Sequence, residues 1–111
     1  MIRRHPPTPA PLTPAVFHIL LALADGPLHG YAIMQAVETS AGEEMGPGTI
    51  YGSLQRMESD GLVKEMPARS DDRRRVFALQ PAGRRALLAE SRRLARLASL
   101  VRARRLVTEE I

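Results

Sequence analysis

Apolar and polar positions follow three different rhythms along this chain. From Thr13 to Leu23 the apolar residues Val16, Phe17, Ile19, Leu20, Leu21 and Leu23 are nearly continuous. That predicts a short, largely buried helix, with Thr13 as N-cap and Pro14 at the first helical position. Asp25-Gly26-Pro27 breaks it. From about His29 to Ala41, Tyr31, Ile33, Met34 and Val37 recur at helical spacing, with Gln35 and Glu38 outward, and Gly42 ends the run. A third helix is predicted from Pro47 to about Asp60. Its core stripe is Ile50, Leu54 and Met57, Tyr51 lies beside the stripe, and Thr49, Gly52, Ser53, Arg56 and Ser59 are read as the opposite face. Gly61 is the expected C-cap.

The rhythm then changes. Leu62–Met66 and Arg74–Leu79 read as two strands joined by the turn-rich basic loop 67–73. A long helix follows from Pro81 to about Leu106, in which Leu87, Leu94, Ala98 and Val101 form a heptad-like seam. Residues 1–12 contain Pro6, Pro7, Pro9 and Pro11 and read as a flexible, extended arm. The predicted fold is therefore mainly α (α+β): a winged helix-turn-helix with a two-stranded wing and a long C-terminal helix. It divides into an arm (1–12), a winged-helix domain (13–80) and a terminal helix (81–111).

Charge sharpens this picture. The formal net charge is +4, and every basic residue but Lys64 is Arg. Residues 13–66 are net acidic, while the arm, the loop and the last helix are net basic. A modest overall charge is weak evidence for an anionic partner, so its placement matters more. With no Cys, disulfides and thiolate metal sites are excluded. No apolar run has the length of a membrane span, and the N-terminus lacks a signal-peptide pattern. A cytoplasmic protein with no membrane partner is expected.

The third helix carries the candidate chemistry. Thr49, Ser53, Gln55 and Arg56 can donate to phosphates or base edges of double-stranded DNA. The free N–H groups at Gly48 and Thr49 suit a phosphate. The loop can place Arg69, Arg73 and the adjoining Arg74 near the flanking backbone or minor groove. Plainer roles stand beside these. His29 can cap the second helix through its side chain, and Tyr31 can pack half-buried. The Tyr51 hydroxyl can bond a phosphate or a backbone group. Arg56 can pair with Glu58, Asp60 or Glu65, and Arg75 with Glu65 across the hairpin. The arginines of the last helix can simply keep an interfacial helix solvated.

Catalysis finds no footing. His5, His18 and His29 have no metal-ligand spacing, no phosphate-cradling Gly loop of the required form occurs, and Asp71-Asp72 sits in a loop without burial. Neither an enzyme nor a cofactor is expected.

Several stretches resemble the PadR family of transcriptional regulators: Leu28–Ile33, Gly46–Tyr51, Leu54–Val63, Arg73–Leu79 and Pro81–Leu87, in that order over about residues 15–100. Gly52 stands where the family commonly has Pro, Gln80 where Thr caps the last helix, and Phe77 where Tyr is common. The resemblance implies a homodimer on a palindromic operator, usually a repressor released by a small effector. It places Tyr51 and the surroundings of Thr49 at the DNA backbone. The dimer contact falls on the last helix, with Leu87, Leu94, Leu97, Ala98 and Val101 as its residues. The short C-terminal region resembles the family's compact subgroup, and without Trp an effector pocket would be aliphatic. The competing readings are a winged-helix protein–protein module and an RNA-binding winged helix.

Overall fold

The computed structural model describes residues 11–67 and 74–107. Its elements run α1 (Pro14–Ala22), β1 (Leu28–His29), α2 (Gly30–Ala41), α3 (Pro47–Ser59), β2 (Val63–Glu65), β3 (Val76–Leu79) and α4 (Pro81–Ala103). The Thr13 hydroxyl accepts from the Val16 amide and so caps α1 as the sequence predicts. At the end of α3, Gly61 takes a left-handed φ of +75°, and the next amide, Leu62, donates to the Met57 carbonyl. That turn delivers the chain directly from α3 into β2.

The two expected strands pair as the wing, and a third short strand joins them. β1 pairs antiparallel with β3 (Leu28 opposite Phe77, His29 opposite Val76), and β3 pairs antiparallel with β2 (Val63 opposite Leu79, Glu65 opposite Phe77). Two residues are too few for a strand to show as periodicity, so Leu28-His29 reads in the sequence as the approach to a helix. The third strand places Phe77 on the central strand, fully buried, where it packs with Ile19, Leu20, Leu23, Ile33, Val37, Ile50, Leu54, Met57 and Val63. One core thus joins α1, α2, α3 and the sheet, and α3 is held by its inner side.

Leu87 also belongs to this core, at 5% exposure. This corrects its assignment to a seam between subunits: the first two turns of α4 pack on their own domain. The helix then leaves that support. Leu94, Leu97, Leu100 and Val101 are all more than a third exposed, and Ala98 is half-buried. The first turn of α4 sits so close to the strand approach that a Cβ on Gly83 would overlap the carbonyl of Leu62. The end of the arm is fastened as well: Leu12 packs against the core and its amide donates to Glu90 Oε2 at 3.2 Å.

Candidate nucleic-acid interface

The inner side of α3 is the stripe Ile50, Leu54, Met57, every member at 1% exposure or less. Ser53 joins them at 1%. Its expected place on the outer face is therefore wrong. It lies three residues after Ile50 and four before Met57, the two spacings that share a helix face, so the helical period itself carried the signal. Small size and polarity made it look like an outward residue. The true outer ridge is Gly48, Thr49, Gly52, Gln55, Arg56 and Ser59, all exposed except the half-buried Gly52.

Among the described residues Arg56 does not pair with an acid. Its Nη2 donates to Ser53 Oγ at 3.4 Å, and its guanidinium lies back along the helix with Nη1 3.7 Å from where a Cβ on Gly52 would stand. Tyr51, beside the stripe as expected, is 38% exposed and reaches the start of α2, its hydroxyl over the backbone of Gly30. Gln55 is free to face outward.

A cleft of about 430 Å³ separates α3 from the sheet, lined by Tyr51, Gly52, Leu54, Gln55, Glu58, Arg75 and Phe77. Arg75 bridges it. Its Nη2 is 2.6 Å from Glu65 Oε1 and 3.8 Å from Glu58 Oε1, and the guanidinium lies 5.1 Å over the Phe77 ring. The hydrogen bond that Arg75 donates to Glu65, with the charges of both carboxylates, raises the Arg75 pKa above its ordinary value. This cation is already neutralised within the fold, as the cross-hairpin pairing anticipates. Arg74, next to it, is exposed just ahead of β3. Arg69 and Arg73 lie outside the described residues.

Two expectations at α2 fail. His29 precedes the helix but makes no side-chain capping bond, and its Nδ1 is buried without a hydrogen-bond partner among the described residues. Its pairing with Val76 places its backbone in the sheet. Tyr31 is 67% exposed, not half-buried, with its hydroxyl accepting from Gln35 Nε2 at 3.4 Å. The buried line of α2 is Gly30, Ile33 and Val37, which Tyr31 misses.

Sequence reasoning missed Glu90. It occupies the core-facing line of α4 between Leu87 and Leu94, only 7% exposed. Arg93 embraces it, with Nε at 2.7 Å and Nη2 at 2.9 Å, and Leu12 adds its amide. The hydrogen bonds from Arg93 hold this carboxyl below the ordinary carboxylate range, although burial opposes them.

Three helices, a small antiparallel sheet and a projecting terminal helix, with one face of α3 left open, define a winged helix-turn-helix protein. The chain belongs to the transcriptional regulator PadR-like family, whose model matches residues 19–89. It is 42% identical over 82 residues to transcriptional regulator Rv3488 of Mycobacterium tuberculosis, covering 73% of this chain and 76% of that protein. It is 49% identical over 83 residues to an uncharacterized 37.1 kDa protein in transposon TN4556 of Streptomyces fradiae, covering 75% of this chain but only 24% of that protein. The fold is shared with a PadR family transcription regulator of Clostridium difficile (TM-score 0.69, 22% identity, 80% of this chain and 95% of that one). It is shared also with Bacillus subtilis PadR in complex with operator DNA (TM-score 0.57, 21% identity, 65% of this chain and 43% of that one). The chain thus carries the domain of a family of transcriptional regulators. Among the described residues no helix is long and apolar enough to cross a membrane.

Proposed function

We propose that this chain regulates transcription by binding double-stranded DNA directly, as a homodimer on a palindromic operator, and that it is a repressor released by a small hydrophobic effector. One observation carries the reading: α3 is buried along Ile50, Leu54 and Met57, while Thr49, Gln55 and Arg56 on its other side stand exposed. A rod held in that way can enter a major groove about 12 Å wide. Its N-terminal turn, where the Thr49 amide donates to the Gly46 carbonyl and the Gly48 amide precedes it, then meets a phosphate. Tyr51 and Arg74, with Arg69 and Arg73 of the loop, flank the groove and contact the backbone. The operator complex of the B. subtilis relative supports DNA as the partner.

The uncovered α4 side chains support the dimer. Leu94, Leu97, Ala98 and Val101 share one side of α4 and continue the line of Leu87 and Glu90 beyond the end of the core. A second copy of α4 buries them and holds two reading helices at a fixed span of about 34–36 Å, one helical turn of DNA. An effector pocket between the copies would be lined by aliphatic side chains. The site of action is the cytoplasm, with no membrane partner.

A gel-shift titration on the DNA upstream of the chain's own gene tests this. Sequence-specific binding that weakens steeply with salt is expected. Equal affinity for random DNA, or a preference for RNA, sinks it. No nucleic-acid binding at all would favour the protein–protein reading, to which exposed Glu43 and Glu44 lend an acidic surface.

A further inference from the structure

We infer that Arg56 reads a guanine in the operator, and that buried Ser53 and bare Gly52 set the pose in which it does so. This rests on the DNA-binding reading above and deepens it. The outer ridge of α3 has little side chain along its middle: Gly48 and Gly52 present only backbone, and Thr49 and Ser59 are short. Gln55 and Arg56 are the two ridge residues long enough to reach past the backbone to base edges. Arg56 sits near the C-terminal end of α3, yet its side chain runs back toward the N-terminus, the direction helical side chains prefer. Its guanidinium therefore lies about one turn nearer the middle of the helix than its own Cα, in the space a side chain at position 52 would occupy.

Two features hold it there. Ser53 Oγ belongs to a side chain 1% exposed, and a buried hydroxyl needs a partner; Arg56 Nη2 supplies it at 3.4 Å. That distance is long for a hydrogen bond, so the contact aims the guanidinium more than it stabilises the fold. The lane over Gly52 is open, with Nη1 in ordinary van der Waals range of an added Cβ. Alanine fits there, and a side chain that continues past Cβ competes with the guanidinium for the same space. A guanidinium has five N–H donors, and Ser53 engages only one. The remaining fork matches the O6 and N7 acceptors of guanine, the commonest base-specific contact of arginine. Ser53 is thus a positioning residue, and Arg56 the one that touches the base.

The test starts with selection of bound duplexes from a randomised double-stranded DNA library by the full chain. The preferred duplex is then titrated with the wild type, Arg56→Ala, Ser53→Ala and Gly52→Leu, each also on duplexes carrying 7-deazaguanine or adenine at every selected guanine in turn. At one guanine per half-site, the wild type should lose about tenfold in affinity on either replacement. Arg56→Ala should bind the original and replaced duplexes equally. Ser53→Ala, nearly isosteric and folded, should keep most of its affinity but lose several-fold in discrimination at that position alone, as should Gly52→Leu. The inference fails if Arg56→Ala keeps the guanine preference, if it weakens all duplexes uniformly, or if Ser53→Ala discriminates as the wild type does. Failure of the wild type to enrich any duplex would instead overturn DNA binding itself.

Discussion

The ring of Tyr51 in α3 lies across the backbone of Gly30, so close that a Cβ on that glycine would stand 2.5 Å from the Tyr51 hydroxyl oxygen. The start of α2 and the flank of the reading helix are thereby fitted to each other. Because Tyr51 is 38% exposed, its ring can swing outward to relieve the clash. Gly30→Ala should therefore cost less than about 1 kcal/mol, the lost contact being offset by the better helix propensity of Ala. Its effect should appear in DNA affinity, through a displaced Tyr51. Thermal unfolding together with a gel shift separates the two, and a severe loss of stability with unchanged affinity would contradict this.

Gly83→Ala makes the opposite case. Its obstacle is the Leu62 carbonyl, which is backbone and is tied down by the Gln80 amide at 2.9 Å. Overpacking against a fixed partner costs about 1–3 kcal/mol or more. Denaturant unfolding should show this substitution to be the worse of the two glycine replacements.

Leu87 and Leu94 lie seven residues apart on one line of α4 but answer to different partners. Leu87→Ala should remove about 2–5 kcal/mol from the domain, as a buried leucine does. Leu94→Glu should leave each domain folded and shift the protein to monomers that hold a full palindrome poorly. Sedimentation and circular dichroism of both variants test the pair. A wild type that stays monomeric at micromolar concentration would rule out the dimer.

The Glu90 carboxyl is held below its ordinary pKa chiefly by the hydrogen bonds from Arg93. A folded-state value below the unfolded one means stability that is fully present above the ordinary carboxylate pKa of about 4.3 and is lost as pH falls through the depressed folded value. Glu90→Gln should therefore be less stable than the wild type at neutral pH, with the gap closing in acid. Denaturant midpoints at pH 7 and near pH 3 report this; an unchanged gap would show that the carboxylate charge is irrelevant.

Arg75 is geometrically well tied to Glu65, but its side chain is 55% exposed. Solvent screening keeps such pairs within about 1 kcal/mol. Arg75→Ala should change the unfolding midpoint little. Because its charge is already occupied, the salt dependence of DNA binding should also stay close to that of the wild type.

The sequence by itself determined the order of elements, the caps at Thr13 and Gly61 and the inner stripe of α3. Each is written in local periodicity or in the backbone preferences of one residue. It also exposed the Arg75–Glu65 pairing, because Arg75 lies two residues before Phe77, the partner of Glu65, on the same face of the hairpin and within reach of a long side chain. Only the tertiary structure decided that Leu28-His29 forms a third strand, that Leu87 closes the domain core, that Tyr31 is exposed, and that Glu90 is buried with Arg93 and Leu12. These depend on which distant segment arrives to cover a face, and the partner of Leu12 lies 78 residues away. Ser53 falls between the two groups. Its spacing from Ile50 and Met57 placed it inward, but only the folded chain, with Arg56 laid back over Gly52, gave its hydroxyl a partner.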